Sequence, residues 1–201
     1  MDENRSSLLT RYLSDPLAIQ LLYLLREGPL GRRSLTSLSS GSESPVRTLL
    51  EELRKEGIVR MSKRGTELTE GGEDIFLPPL KSVLAVKEID LSRLSLDRLN
   101  YVSFLHRPSS PKRKSWDYRD LAVREGATGA LLIAREESFT FLDTGERVSG
   151  KNPEDDRSLR EASPDLGRTE LVVVVSGKEE AGVIRGVWRV SGQLLTEVFA
   201  D

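Results

Sequence analysis

Between Ser44 and Thr69 the chain reads SPVRTLLEELRKEGIVRMSKRGTELT, and this stretch restricts the fold more than any other. Ser44 followed by Pro45 is a helix start: a serine hydroxyl can accept from free backbone N–H groups, and proline at the first helical position gives up no hydrogen bond. Val46, Leu49, Leu50 and Leu53 recur at spacings of three and four. One face of the predicted helix is therefore apolar, while Arg47, Thr48, Glu51, Arg54 and Lys55 face outward. Gly57 ends it. Ile58, Val59 and Met61 then form a short β-prone run, Lys63-Arg64-Gly65 a turn with two cations, and Glu67-Leu68-Thr69 a returning strand. Such a helix and basic-tipped hairpin must bury their apolar sides against elements elsewhere in the chain.

Those elements lie just upstream. Asp15-Pro16 is a second cap-and-proline start, and Leu17, Leu21, Leu24 and Leu25, widened by Ile19 and Leu22, predict a buried helix ending at Gly28. Pro29-Leu30-Gly31 is a turn, and Arg32 to Leu38 predicts a short helix with Leu35 and Leu38 inward. Ser39, Ser40, Gly41 and Ser42 then turn the chain toward Ser44. Before Ser14 the pattern is weaker, although Leu8, Leu9, Tyr12 and Leu13 suit a short helix or arm that packs on a partner. Three helices followed by a hairpin, over residues 15–77, resemble a winged helix-turn-helix domain, a DNA-binding module common in bacteria and archaea. Leu68-Thr69-Glu70-Gly71-Gly72 resembles the LT-x-x-G continuation that many such regulators carry after the wing. The resemblance implies that the helix over 44–56 reads duplex DNA, that 58–69 is the wing, and that Arg32, Arg33, Ser44, Arg47, Thr48, Glu51, Lys63 and Arg64 form the DNA-binding set.

Charge distribution bears on that implication. The net charge of the 201 residues is −2, so no global basic field points to nucleic acid. From Arg26 to Arg64, however, the bases Arg26, Arg32, Arg33, Arg47, Arg54, Lys55, Arg60, Lys63 and Arg64 outnumber Glu27, Glu43, Glu51, Glu52 and Glu56. From 65 to 77 every charge is acidic. Cysteine is absent, and neither a signal peptide nor an apolar run of membrane length is present, which predicts a cytoplasmic chain without membrane contact.

Pro78-Pro79 is expected to break the helical continuation and close a domain of residues 1–79. Residues 80–99 follow as a connecting segment with too many apolar positions (Leu80, Val83, Leu84, Val86, Ile89, Leu91, Leu94 and Leu96) for a solvated linker. They must be buried against a second domain or a second copy. From Asn100 to Asp201 the expected order is strand 101–105, a proline-serine-basic loop 108–114, helix 116–125, strands 127–134 and 138–142, a polar loop 149–156, helix 157–162, strand 171–175 and a helix from Glu179 onward. Phe139 and Phe141 share one face, and the five aliphatics Leu171 to Val175 mark a strand shielded from water. Ile184, Val187, Trp188, Ser191, Leu194, Leu195 and Val198 lie on one helical stripe despite Gly182, Gly186 and Gly192. The fold class is α+β: a winged helix followed by a small β-α-β-β-α-β-α sandwich with helices over one face of a sheet. Order and pairing resemble an archaeal family in which a winged helix precedes a small domain grouped with the GAD insert of some aminoacyl-tRNA synthetases. That resemblance implies a transcriptional regulator and no particular ligand.

Catalytic signatures are missing. The one histidine, His106, has no cysteine or second histidine to pair with, and no phosphate-binding glycine loop occurs. Glu136-Glu137, Asp155-Asp156 and Glu179-Glu180 sit in turns or at helix starts, where acids complement the helix dipole. The chain thus reads as a non-enzyme with no cofactor and no metal site. Lys112, Arg113 and Lys114, just before a helix capped by Ser115, form either an anion or effector site or a solvated loop beside the aromatics Trp116 and Tyr118. Two function classes follow: a regulator that binds double-stranded DNA, with residues 100–201 sensing a small-molecule effector or dimerising, or a winged-helix protein-interaction module without specific DNA binding. The arginines around the turn, reading helix and wing tip favour the first, and reading a long enough site with so small a module calls for a homodimer.

Overall fold

In the computed structural model, residues 3–39, 41–106 and 111–200 are described. Ser40 of the expected 39–42 turn and residues 108–110 of the expected 108–114 loop lie outside them. The chain begins with α1 (Glu3–Leu13), α2 (Pro16–Leu25), α3 (Arg32–Leu38) and α4 (Glu43–Lys55), continues through the hairpin β1 (Val59–Ser62) and β2 (Gly65–Leu68), and enters α5 (Glu70–Lys81). Asp15 caps α2 as its sequence requires, its Oδ1 accepting from Leu17 N at 2.8 Å and Ala18 N at 3.1 Å. Helix α4 starts one residue ahead of the expected cap. Ser42 takes the cap position without a side-chain hydrogen bond, and Ser44 lies inside the first turn, where Glu43 complements the helix dipole. Val46, Leu49, Leu50 and Leu53 are all buried, as their spacing demands.

Two local expectations are overturned. Leu35 is buried but Leu38 is 57% exposed, because α3 ends at Leu38 and the chain leaves it extended at Ser39, placing that side chain at a rim rather than in the core. Helix α5 also runs through Pro78 and Pro79 to Lys81 instead of stopping at them. A proline inside a helix leaves the carbonyl four residues earlier without its donor. For Pro78 that carbonyl is Asp74 O, and Arg5 Nη2 from α1 donates to it at 3.0 Å. The partner comes from 69 residues away, so the local pattern could not show it.

The second half contains β3 (Val83–Glu88), β4 (Leu99–Leu105), α6 (Ser115–Arg124), β5 (Gly129–Arg135), β6 (Phe139–Phe141), α7 (Val148–Lys151), α8 (Pro153–Ala162), β7 (Leu171–Gly177) and α9 (Glu180–Phe199). The protein is α+β, with nine helices and two antiparallel sheets among the described residues. From β4 onward the expected order holds, except that the expected 149–156 loop is α7 and the first turn of α8, which Pro153 opens. The large sheet has the order β3-β4-β7-β5-β6, with registers such as Val102↔Val174 and Leu132↔Val173. β7 is central. Leu171, Val173 and Val175 face one core with α6 and α9, while Val172 and Val174 face a second core closed by Val148 of α7, Leu159 of α8 and Leu94. Helices therefore cover both faces of the sheet, not one; a strand in which every residue is apolar or small needs cover on both sides.

Residues 80–99 are part of this body. Val83–Glu88 form the edge strand β3, paired with β4. Leu80, Val83 and Leu94 are buried, and Leu84, Val86, Ile89 and Leu91 pack against the two cores. The 92–94 loop is held by Asp155, whose carboxylate accepts from Ser92 N (2.6 Å), Ser92 Oγ (3.1 Å), Arg93 N (2.9 Å) and Leu94 N (2.8 Å). Asp155 thus does more than complement the dipole of α8. The long stripe of α9 is likewise covered within the chain, by the sheet on one side and by α1 and α2 on the other, so that Leu9, Tyr12, Ile19, Trp188 and Leu195 belong to one continuous core. α1 packs here rather than reaching for a partner. The approach is close enough to require a glycine: a Cβ on Gly192 would sit 1.8 Å from Leu13 O. Most of the apolar surface expected at a contact between copies is consumed inside one chain.

Candidate nucleic-acid interface

The exposed face of α4 and the hairpin meet along a groove of about 330 Å3 lined by Arg32, Arg47, Glu51, Met61, Ser62 and Thr66, with Leu50 at its base. The hairpin is held against the helices by a pair of backbone bonds, Leu30 N to Thr66 O at 2.9 Å and Thr66 N to Leu30 O at 2.8 Å, which add a short third strand beside β2. Gly65 makes that approach possible. Its φ of +127° disfavours any other residue, and a Cβ there would lie 2.5 Å from Leu30 O. At the base of the hairpin the Thr69 hydroxyl donates to Gly57 O at 2.6 Å and accepts from Gly72 N at 3.0 Å, capping α5. Helix, hairpin and following helix are thereby locked together.

Arg32, Arg47 and Glu51, separated in sequence, line this one groove. Thr48 and Ser44 are exposed on the same helix, and Lys63 and Arg64 are exposed at the hairpin turn without lining the groove. Arg33 borders a smaller recess of about 200 Å3 with Arg32, Thr36, Ser37 and Glu43. Acids accompany the bases: Arg32 Nη2 lies 3.2 Å from Glu43 Oε1, with both side chains at least half exposed, so the pair is loosely held and easily exchanged for another anion. Met61 is a groove residue that periodicity misses. Alternation places it with buried Val59, yet it is 49% exposed because the hairpin extends past the core that covers Val59.

The basic segment 112–114 has a different environment. Glu197 of α9, 8% exposed, accepts from Lys112 N (3.2 Å), Arg113 Nε (3.0 Å), Tyr118 Oη (2.6 Å) and Gln193 Nε2 (3.0 Å). Burial first, and then the bond to this carboxylate, raise the Tyr118 hydroxyl above its usual value. Arg113 is therefore already matched by an internal anion, and Lys114 Nζ stands 4.7 Å over the exposed ring of Trp116. Ser115 is the first residue of α6 instead of its cap, and its hydroxyl bonds Asp143. Glu197 had no signal in the sequence, since all its partners but Gln193 are more than 75 residues away. His106 is a loop anchor, its Nδ1 2.9 Å from Arg168 O. Among the described residues no three His, Asp or Glu side chains are grouped to hold a metal ion, and no helix is long and apolar enough to cross a membrane.

Comparison with known proteins places the fold and nothing finer. No protein-family model matches the chain, and no curated protein matches it. Among solved structures, the hypothetical protein PH0730 from Pyrococcus horikoshii OT3 is similar over 89% of this chain and 90% of its own, with a TM-score of 0.65 and 23% sequence identity. At that identity the likeness concerns architecture alone.

Proposed function

We propose that residues 15–77 form a winged helix-turn-helix and that the protein is a transcriptional regulator binding double-stranded DNA through α4 and the β1–β2 hairpin. The observation that carries this reading is the groove between α4 and the hairpin, which Arg32 and Arg47 both line, while Arg33 on α3 and Lys63 and Arg64 at the hairpin turn are exposed. A helix whose outer face is long, polar and flanked by a cationic hairpin suits a major groove with the wing on adjacent phosphates. Arg47 and Thr48, near the N-terminal end of α4, are assigned to base edges; Arg32, Arg33, Lys63 and Arg64 to phosphate. Selection of bound sequences from a random duplex pool tests this. A recovered motif is expected, and recovery of no enrichment would overturn it.

The exposed Met61 beside Glu51 favours a second reading, docking of a protein segment into the same groove without specific DNA binding. As a regulator the protein is proposed to act as a homodimer, since one module reads few base pairs against a genome of competitors. With the apolar residues of 80–99 largely buried, the outer edge of β3 is the surface assigned to that contact. Light scattering at micromolar concentration should give twice the chain mass, and a monomer would remove the dimer.

A further inference from the structure

A second groove, of about 490 Å3, lies between the N-terminal helices α2 and α3 and the sheet with α9. Tyr23 and Leu24 of α2 and Leu38 of α3 form one wall; Val86, Tyr101 and Ile184 form the other. Trp188, 3% exposed, is its floor. The Trp188 and Tyr23 rings lie 4.9 Å apart at 58°, and the Arg26 guanidinium sits 3.4 Å over the Tyr23 ring, so the aromatic wall is fixed in place. Its size and mostly apolar lining, and its place at the junction of two packed units, are those of a small-molecule site. Leu38, exposed at its rim, is apolar surface that an occupant would cover.

The charge of the groove is one-sided. Among its lining residues Glu180 is the one charged group, and the Tyr101 hydroxyl donates to its Oε1 at 2.8 Å. Burial, then this bond and the carboxylate's charge, push the Tyr101 hydroxyl up to about 12, which keeps it a donor at neutral pH. The carboxylate is thus anchored at the mouth of an aromatic and aliphatic slot. The carboxylate attracts a positive group, and no lysine or arginine lines the groove; Arg26, which covers one face of the Tyr23 ring, is itself paired with Glu27 at 3.1 Å.

We propose that this groove binds a small organic cation, an amine carried on a flat apolar body, with the ammonium at Glu180 and the body between the walls. Because α3 supplies one wall and leads directly into α4, occupancy fixes α3 against α9 and changes the affinity for DNA; this consequence, unlike binding itself, rests on the regulatory reading above.

Titration calorimetry on the full chain with phenethylamine tests the site, using 2-phenylethanol as the uncharged match and 3-phenylpropionate as the opposite charge. The amine is expected to bind about tenfold more tightly than the alcohol, the value of one charge-assisted bond to the exposed Glu180 carboxylate, and the acid not at all. Glu180→Gln should bring the amine down to the level of the alcohol, and Ala181→Phe, at an exposed position lining the groove, should abolish both. No heat with the amine up to about 10 mM, equal affinities for the three probes, or binding that survives Ala181→Phe would each overturn the proposal. DNA affinity is measured separately with and without the amine. A chain that binds the amine but no duplex refutes the regulator and leaves the groove standing, whereas one that binds duplex but no amine refutes the groove alone.

Discussion

Replacing Lys63 and Arg64 together by alanine probes the proposed wing with little risk to the fold. Both side chains are exposed at the turn between β1 and β2. The hairpin itself depends on its backbone register from Val59↔Leu68 to Ser62↔Gly65 and on the Ser62 hydroxyl, which accepts from Arg64 N at 3.1 Å, and alanine keeps all of these. If Arg32, Arg33, Lys63 and Arg64 each neutralise one phosphate, the logarithm of the binding constant should fall with the logarithm of salt concentration at a slope of about −3.6. The ion pair of Arg32 with Glu43, half exposed, contributes roughly 1 kcal/mol or less and does not withhold it from phosphate. Losing two contacts leaves a slope of about −1.8. Between about 50 and 200 mM salt the native chain should therefore weaken roughly 150-fold and the variant roughly 12-fold. Fluorescence anisotropy of a labelled random-sequence duplex across that range reads both slopes. An unchanged slope in the variant would take the wing off the duplex, and a slope near zero for the native chain would refute duplex binding by this face and favour protein docking.

Arg47→Ala should lose discrimination at one base pair by about 1–3 kcal/mol while retaining most of its affinity for random duplex; competition between a selected site and random DNA reads this, and unchanged discrimination would withdraw the base-reading role. Asp155→Asn turns an amide N–H2 toward backbone donors that the carboxylate now satisfies, at a cost of about 2–4 kcal/mol in urea unfolding. Burial alone would raise the carboxyl's pKa, but the N–H groups of Ser92, Leu94 and Arg93 and the Ser92 hydroxyl together hold it below its ordinary value. Its contribution should accordingly be complete above the unfolded value near pH 3.9 and be lost as pH falls through the lower folded value, and the difference between native and variant chains should vanish there. A difference that persisted through strong acid would argue against this assignment. Gly192→Ala gains about 1 kcal/mol of helix propensity but drives a methyl into Leu13 O, so a net loss of about 2 kcal/mol is expected by thermal unfolding. Gly71→Ala in α5, whose Cβ would meet nothing within 4 Å, should stabilise instead, and equal signs for the two would refute the packing account.

Much of the architecture follows from short-range regularities. The face of α4, the cap at Asp15, the cationic turn at Lys63-Arg64 and the shielded strand at Leu171 to Val175 are all set by neighbours within a few residues, whose sterics and periodicity are written locally. The same is true of Arg32, Arg33, Arg47 and Lys63 as exposed cations, since polar residues opposite an apolar stripe face water wherever the helix packs. The sequence by itself thus determined the order of most elements and the outer faces of α4 and the hairpin. Other features depend on partners that only the closed chain brings together. Pro78-Pro79 reads as a helix end until Arg5 reaches Asp74 O, and residues 80–99 read as an apolar connecting segment of unknown partner until β3 finds β4. Glu197 has no meaning until the 112–114 segment returns to α9, 84 residues away from it at Arg113. Which faces of the sheet are covered, and where two walls enclose a groove, were decided by strand order and helix packing, because a contact between distant segments depends on the whole path of the chain and leaves no periodicity in either segment alone.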